Sequence, residues 1–123
     1  MRKCYLDSNC LVYFKNIDAD QHLETVKKLE KLRRIEAQIY ISPLGLDEFL
    51  HALQFLLRKR GVRRIYPLLK MAIKDVLDIP SLSIINPPTD KKSQEKVVEN
   101  MEKYQLSPRD AYHLLITQTN DID

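Results

Sequence analysis

Glycine is scarce in this 123-residue sequence, with only Gly45 and Gly61 present. That scarcity excludes a Gly-rich phosphate loop, a G-x-G-x-x-G dinucleotide turn and a G-x-S-x-G nucleophile elbow, each of which needs glycines in local register. Cysteine is equally rare. Cys4 and Cys10 are too few for a disulfide framework or a four-ligand zinc site, so buried free thiols are expected. No uncharged apolar run approaches the ~18 residues needed to span a bilayer. A secretory leader is not expected either, because Asp7 interrupts the apolar run near the N-terminus. These absences lead to the expectation of a cytoplasmic protein with no membrane partner.

What is present suits one folded domain over residues 1–123, at 44% hydrophobic and 30% charged residues with no repeat or low-complexity tract. A net charge of +3 permits a nucleic-acid partner without requiring one.

The run Lys3-Cys4-Tyr5-Leu6 reads as a strand that stops at Asp7-Ser8-Asn9 and turns at once into a helix carrying Leu11, Val12 and Phe14. Ser8 or Asn9 is expected to cap that helix. Asp7 then stands at the carboxyl end of the strand, where open α/β sheets place their ligands. Asp20 reads as the next cap. Beyond it Leu23, Val26, Leu29, Leu32 and Ile35 recur every three residues, opposite a polar face that includes Lys27, Lys28 and Lys31. Gln38-Ile39-Tyr40-Ile41 is a second strand. Ser42-Pro43 opens a helix whose many apolar residues, Leu46 to Leu57, predict deep burial.

Five of the seven residues 58–64 are basic, and Gly61 ends the helix there. A further helix over 65–77 stops before Pro80, and a third strand covers 82–85. Thr89 or Asp90 caps the next helix. Ser107-Pro108-Arg109-Asp110 opens the last one with a capping-box pattern. The order β-αα-β-αα-β-αα argues for an α/β fold with a short parallel sheet covered by helices on both faces.

Three acids map to the rim formed by strand ends and helix starts: Asp7, Glu48 and Asp110. Carboxylates converging there repel one another unless a cation holds them, and hard oxygen ligands suit Mg²⁺ or Mn²⁺. Such ions polarise phosphoryl oxygens and activate water, which fits phosphodiester hydrolysis. Each acid also has a purely structural reading: a cap for Asp7, a helix-dipole partner for Glu48, a capping box for Asp110. Asp47 points about 100° away from Glu48 around the helix, so only one of the two faces the ion well. His113 is a packing or supporting residue, since hard ions rarely choose imidazole. The basic residues Arg58, Lys59, Arg60, Arg63 and Arg64 either meet an RNA backbone or form an ordinary solvated helix end.

Leu6-Asp7-Ser8-Asn9, then Ile41-Ser42-Pro43 leading to Glu48, then Ser107-Pro108-Arg109-Asp110-Ala111-Tyr112-His113-Leu114, resembles the PIN-domain nucleases. In pattern the chain is similar to the VapC-like toxins of toxin–antitoxin pairs. The resemblance implies a three-layer α/β/α fold and Mg²⁺- or Mn²⁺-dependent cleavage of RNA. It implies Asp7, Glu48 and Asp110 as metal ligands, supported by Ser8, Asn9 and Arg109. An antitoxin partner and a homodimer follow from the same resemblance.

The chain departs from the family after its last helix. Family members continue into a fourth strand ending in Thr or Ser, one residue, then Asp. Neither that strand nor its acid is in this sequence, and Asp121 and Asp123 are poor substitutes. The chain is therefore expected to be cut short at its C-terminus. With a family strand order of 3-2-1-4, the first strand is expected as a bare edge. The rival reading is a catalytically weak PIN-like module that binds RNA or a protein without cutting.

Overall fold

The computed structural model describes residues 2–122, so Asp123 lies outside the described residues. The chain divides between Ile84 and Ile85 into two compact units. The first runs β1 (Lys3–Tyr5), α1 (Ser8–Lys15), α2 (His22–Arg34), β2 (Gln38–Ile41), α3 (Pro43–Lys59), α4 (Tyr66–Leu77) and β3 (Leu82–Ile84). Its sheet is short and parallel with β2 in the middle: Cys4 lies opposite Ile39, and Ile39 opposite Leu82. The strand order β1-β2-β3 matches the first three places of the expected order. Among the described residues there is no fourth strand, and β1 is an edge.

The core of this unit gathers on the strands that sequence alternation marks. Ile39 and Ile41 are buried with Leu6, Leu11, Phe49, Ala72, Val76 and Ile79. Ser42 and Pro43 start α3 as the sequence indicates. Ser42 is extended at φ −125° and ψ 158°, its Oγ accepts from the Gly45 N–H at 3.1 Å, and Pro43 takes a position with no intrahelical donor to lose. At the other end Gly61 adopts φ +77°, the left-handed region where glycine pays no Cβ penalty, and its N–H reaches the Arg58 carbonyl at 3.0 Å.

Several sequence expectations are corrected. The cap of α1 is Asp7, as its structural reading had it, and not Ser8 or Asn9. Asp7 has the extended backbone of a cap, φ −82° and ψ 171°, and its carboxylate accepts from the Cys10 N–H. Aspartate serves there as well as serine or asparagine. Asp20 caps nothing: α2 begins at His22 after Gln21, without a side-chain cap. Its first turn is tied instead by His22 Nδ1, which donates to the Tyr13 carbonyl at 2.8 Å.

The apolar stripe of α2 also fails at both ends. A three-residue spacing advances about 300° per step, so the stripe drifts by about 60° each time. Leu29 and Leu32 meet the core, but Leu23 is 62% exposed and Ile35 42%, while Thr25 is buried. The deep burial expected of α3 holds for Phe49 but not for Phe55, which is 65% exposed. A helix apolar over most of its circumference has more such surface than a single contact face can cover. The third strand ends at Ile84 rather than residue 85.

The second unit is a helical hairpin of α5 (Lys91–Tyr104) and α6 (Pro108–Thr119). Asp90 caps α5, accepting from the Ser93 N–H at 3.0 Å and the Ser93 hydroxyl at 2.6 Å. Those hydrogen bonds hold its carboxyl below the usual carboxylate range. Gln105 turns the chain in a left-handed conformation, φ 55°, and the Leu106 N–H closes back on the Met101 carbonyl at 3.1 Å. Val97, Ala111 and Leu115 form the hairpin core. Buried Asn100 is satisfied by Gln118, its Nδ2 donating to Oε1 at 3.0 Å. After α6, Asp121 takes φ 53° and Ile122 folds back with its N–H on the Thr117 carbonyl. Among the described residues no helix is long and apolar enough to cross a membrane.

Candidate functional site

Two of the three predicted acids come together in the first unit, at the carboxyl ends of β1 and β2. Asp7 follows β1, and its Oδ1 is committed to the cap of α1, accepting from Cys10 N–H at 2.9 Å. Its second oxygen remains for another partner. Ser8, the first residue of α1, is freed from capping and turns its hydroxyl across to α3. There Ser8 Oγ donates to Glu48 Oε2 at 3.3 Å. Capping by Asp7 is thus what lets Ser8 reach Glu48.

Glu48 is half-buried, whereas Asp47 is exposed. Asp47 turns to its own helix neighbour, with Oδ1 3.3 Å from His51 Nδ1. The 100° helical step separates the two acids as the sequence argument requires.

Tyr5 stands at the end of β1 and shares a 2.6 Å hydrogen bond with the buried Ser42 hydroxyl, the cap of α3. This bond ties the strand carrying Asp7 to the helix carrying Glu48. Burial pushes the Tyr5 phenol up, the bond to Ser42 works against that, and the carboxylates of Glu48 and Asp7 add to the rise. Both acids therefore act on one phenol that stays protonated at neutral pH.

Cys10, one turn into α1, is pushed up to about 11, first by burial and then by the charge of Asp7, with Lys28 opposing. Burial pushes Cys4 up as well. Both thiols are free, as expected from the sequence, but half-buried rather than buried.

Asp110 belongs to the second unit, exposed in the first turn of α6, where its N–H donates to Ser107 Oγ at 3.2 Å. That is the serine half of the expected capping box. Arg109 beside it is exposed, and His113, one turn on, is half-buried. Asn9 is exposed and lines a 430 Å³ cleft with Asp7. The basic run stands elsewhere. Arg58 and Lys59 end α3, roughly 15 Å from Glu48 along the helix axis at 1.5 Å per residue. Arg60 pairs with Asp18 at 3.3 Å, while Arg63 and Arg64 are exposed before α4.

Among the described residues no three His, Cys, Asp or Glu side chains gather closely enough to hold a metal ion. The donor chemistry of Asp7, Glu48 and the Ser8 hydroxyl nonetheless fits a small hard cation. All three donors are oxygens, and Mg²⁺ is commonly held by one or two carboxylates with water and substrate phosphates completing the shell.

Sequence reasoning missed Tyr5, Ser42 and Lys28 as neighbours of this site. Tyr5 ends β1 only two residues before Asp7, and that closeness in sequence is the signal that could have found it.

A family model described as PIN domain matches residues 4–123. No curated protein matches the chain. Among solved structures the chain is similar to VapC20 of Mycobacterium tuberculosis, a toxin described as cleaving the sarcin-ricin loop. That similarity has a TM-score of 0.65 at 15% identity and covers 97% of this chain and 84% of the toxin.

Proposed function

The chain belongs to the PIN domain family, and on that premise we propose that it is a ribonuclease dependent on Mg²⁺ or Mn²⁺, the toxin of a toxin–antitoxin pair. The observation that carries the reading is the meeting of Asp7 and Glu48 through Ser8 at the carboxyl edge of the sheet. Its fold likeness to a toxin that cleaves the sarcin-ricin loop supports RNA as the substrate.

Asp7 and Glu48, beside the Ser8 hydroxyl, would hold the cation, and when bound there it would supply a Lewis acid for a phosphoryl oxygen and an activated water. The protein's own contribution is positional. Asp7 is held by its cap bond to Cys10, and Glu48 by the Ser8 hydroxyl. Tyr5 and Ser42 lock the strand to the helix behind them. Asn9 offers an exposed amide beside Asp7, and Arg109 offers a guanidinium to a phosphate. At the end of α3 and in the turn after it, the run from Arg58 to Arg64 neutralises backbone charge of a bound strand.

An antitoxin and a second copy of the chain are the proposed protein partners, in the cytoplasm. The apolar side chains left exposed on α3 and α4, Phe55 at 65%, Met71 at 63% and Leu68 at 42%, support the dimer.

The test is cleavage of a labelled single-stranded RNA by the purified chain in Mn²⁺, with and without excess EDTA. Chelator-sensitive cleavage is expected. RNA binding without cleavage in Mn²⁺ or Mg²⁺ supports the non-cutting module instead and overturns the ribonuclease.

A further inference from the structure

A cleft of 430 Å³ opens beside Asp7, lined by Tyr5, Asp7, Asn9, Tyr13, Thr25 and Lys28. We propose that this cleft is a subsite for one nucleotide of a single-stranded RNA, the nucleotide next to the phosphate that a cation at Asp7 and Glu48 would hold. The proposal rests on the ribonuclease reading and deepens it by placing the substrate.

The chemistry of the lining supports it. The volume falls within the roughly 300–1,000 Å³ of small-ligand clefts. Tyr13, on α1, is half-buried and lines the cleft, which puts an aromatic residue on its wall. Aromatic faces of this kind bind unstacked bases with little regard to sequence. Lys28 on α2 brings a cation to the same wall, where a carboxylate site otherwise repels a polyanion. Its only ion pair among the described residues is with Glu24 on its own helix, at 3.7 Å with both side chains 71% exposed, which is a weak hold. Asn9 adds an amide that both donates and accepts.

Two other clefts of this unit stand away from these acids. One of 270 Å³ between α3 and α4 is lined by Asp47, His51 and Lys70, and one of 240 Å³ by Phe14, Val26 and Ile79 among others. Neither includes Asp7 or Glu48. A base must leave its stack to enter a cleft of this kind, so single-stranded RNA is favoured over duplex.

The test pairs binding with cleavage. Anisotropy of a short fluorescent single-stranded RNA is followed in EDTA over a salt series, for the native chain and for Lys28→Gln, Tyr13→Leu, Tyr13→Phe and Lys103→Gln. Cleavage in Mn²⁺ is measured for the same set, and circular dichroism confirms folding. Tyr13→Leu is expected to bind about tenfold more weakly, and Tyr13→Phe to restore binding, because the ring and not the hydroxyl does the stacking. Lys28→Gln is expected to lower the salt slope by about 0.7, with its cleavage defect falling on KM more than on kcat. Lys103→Gln, on α5, should change neither. Should Tyr13→Leu not fold, Lys28→Gln, at an exposed position, decides the matter alone.

Native affinity and slope in Lys28→Gln, with cleavage intact, overturn the subsite and leave the ribonuclease standing. A native chain that neither binds nor cuts RNA overturns both, and the two failures are thereby told apart.

Discussion

Ser8 Oγ donates to Glu48 Oε2 at 3.3 Å across forty positions of sequence, joining the first residue of α1 to the second turn of α3. The bond exists because Asp7, not Ser8, caps α1. One local substitution of roles therefore orients a carboxylate on another element.

Ser8→Ala tests that link. It removes a part-buried hydrogen bond to a charged group, which is worth about 1.5–3 kcal/mol at most, and less here because the bond is long. The expected result is a modest loss of stability in urea with a larger apparent Kd for Mn²⁺. An unchanged Mn²⁺ affinity would assign Ser8 to packing alone.

Cys10 makes the stability depend on pH in the alkaline range. Its folded thiol is pushed up to about 11, above the ordinary value of 9.0. Between those two values the unfolded chain has lost a proton that the folded chain keeps. Stability is therefore fully present below about pH 9 and falls as pH rises towards 11. Urea midpoints measured from pH 8 to pH 11 should fall, and the fall should be shallower in Cys10→Ala. Parallel curves for the two proteins would contradict this. At pH 8 the native thiol should also react slowly with iodoacetamide, since the thiolate is the nucleophile.

The basic run is expected to act on RNA as counter-charge only. Replacing Arg63 and Arg64 together with glutamine should flatten the salt dependence of single-strand binding by about 1.4 units, roughly 0.7 for each phosphate left without its counter-charge. Cleavage at saturating RNA should barely change, because the run begins at the far end of α3 from Glu48. An unaltered slope would place both guanidinium groups in solvent.

Association should follow from the apolar side chains on α3 and α4. Light scattering at micromolar concentration is expected to return twice the 14.5 kDa chain mass, and Phe55→Ser with Met71→Ser to return the monomer. A monomeric native chain would remove the dimer from the account.

Much of the fold was legible because its signals are local. Ser42-Pro43 and Ser107-Pro108 start helices through their own backbone requirements, and Gly61 marks a left-handed residue. The alternation of strands with helix pairs pointed to the parallel sheet, and the family resemblance to its order. What escaped depends on rotation and on distant partners. The stripe of α2 drifted because a three-residue period is not 3.6, leaving Leu23 and Ile35 in solvent. Lys28, read as one lysine of a solvated face, faces a cleft with Tyr13 because α1 packs against α2. In the candidate site, helical geometry said that Asp47 and Glu48 diverge, and the choice of Glu48 came from the family resemblance. The Ser8–Glu48 and Tyr5–Ser42 bonds were not, since each joins residues far apart in the chain.

The most direct test of the central claim is the Mn²⁺-dependent cleavage rate of Asp7→Asn beside the native chain. Asparagine caps a helix as well as aspartate does, so α1 and the stability should be kept within a few tenths of a kcal/mol, while a negatively charged oxygen is lost at the proposed metal site. The account predicts a folded Asp7→Asn protein with native circular dichroism and no measurable cleavage at any Mn²⁺ concentration. A folded Asp7→Asn protein that cleaves RNA at the native rate would contradict it.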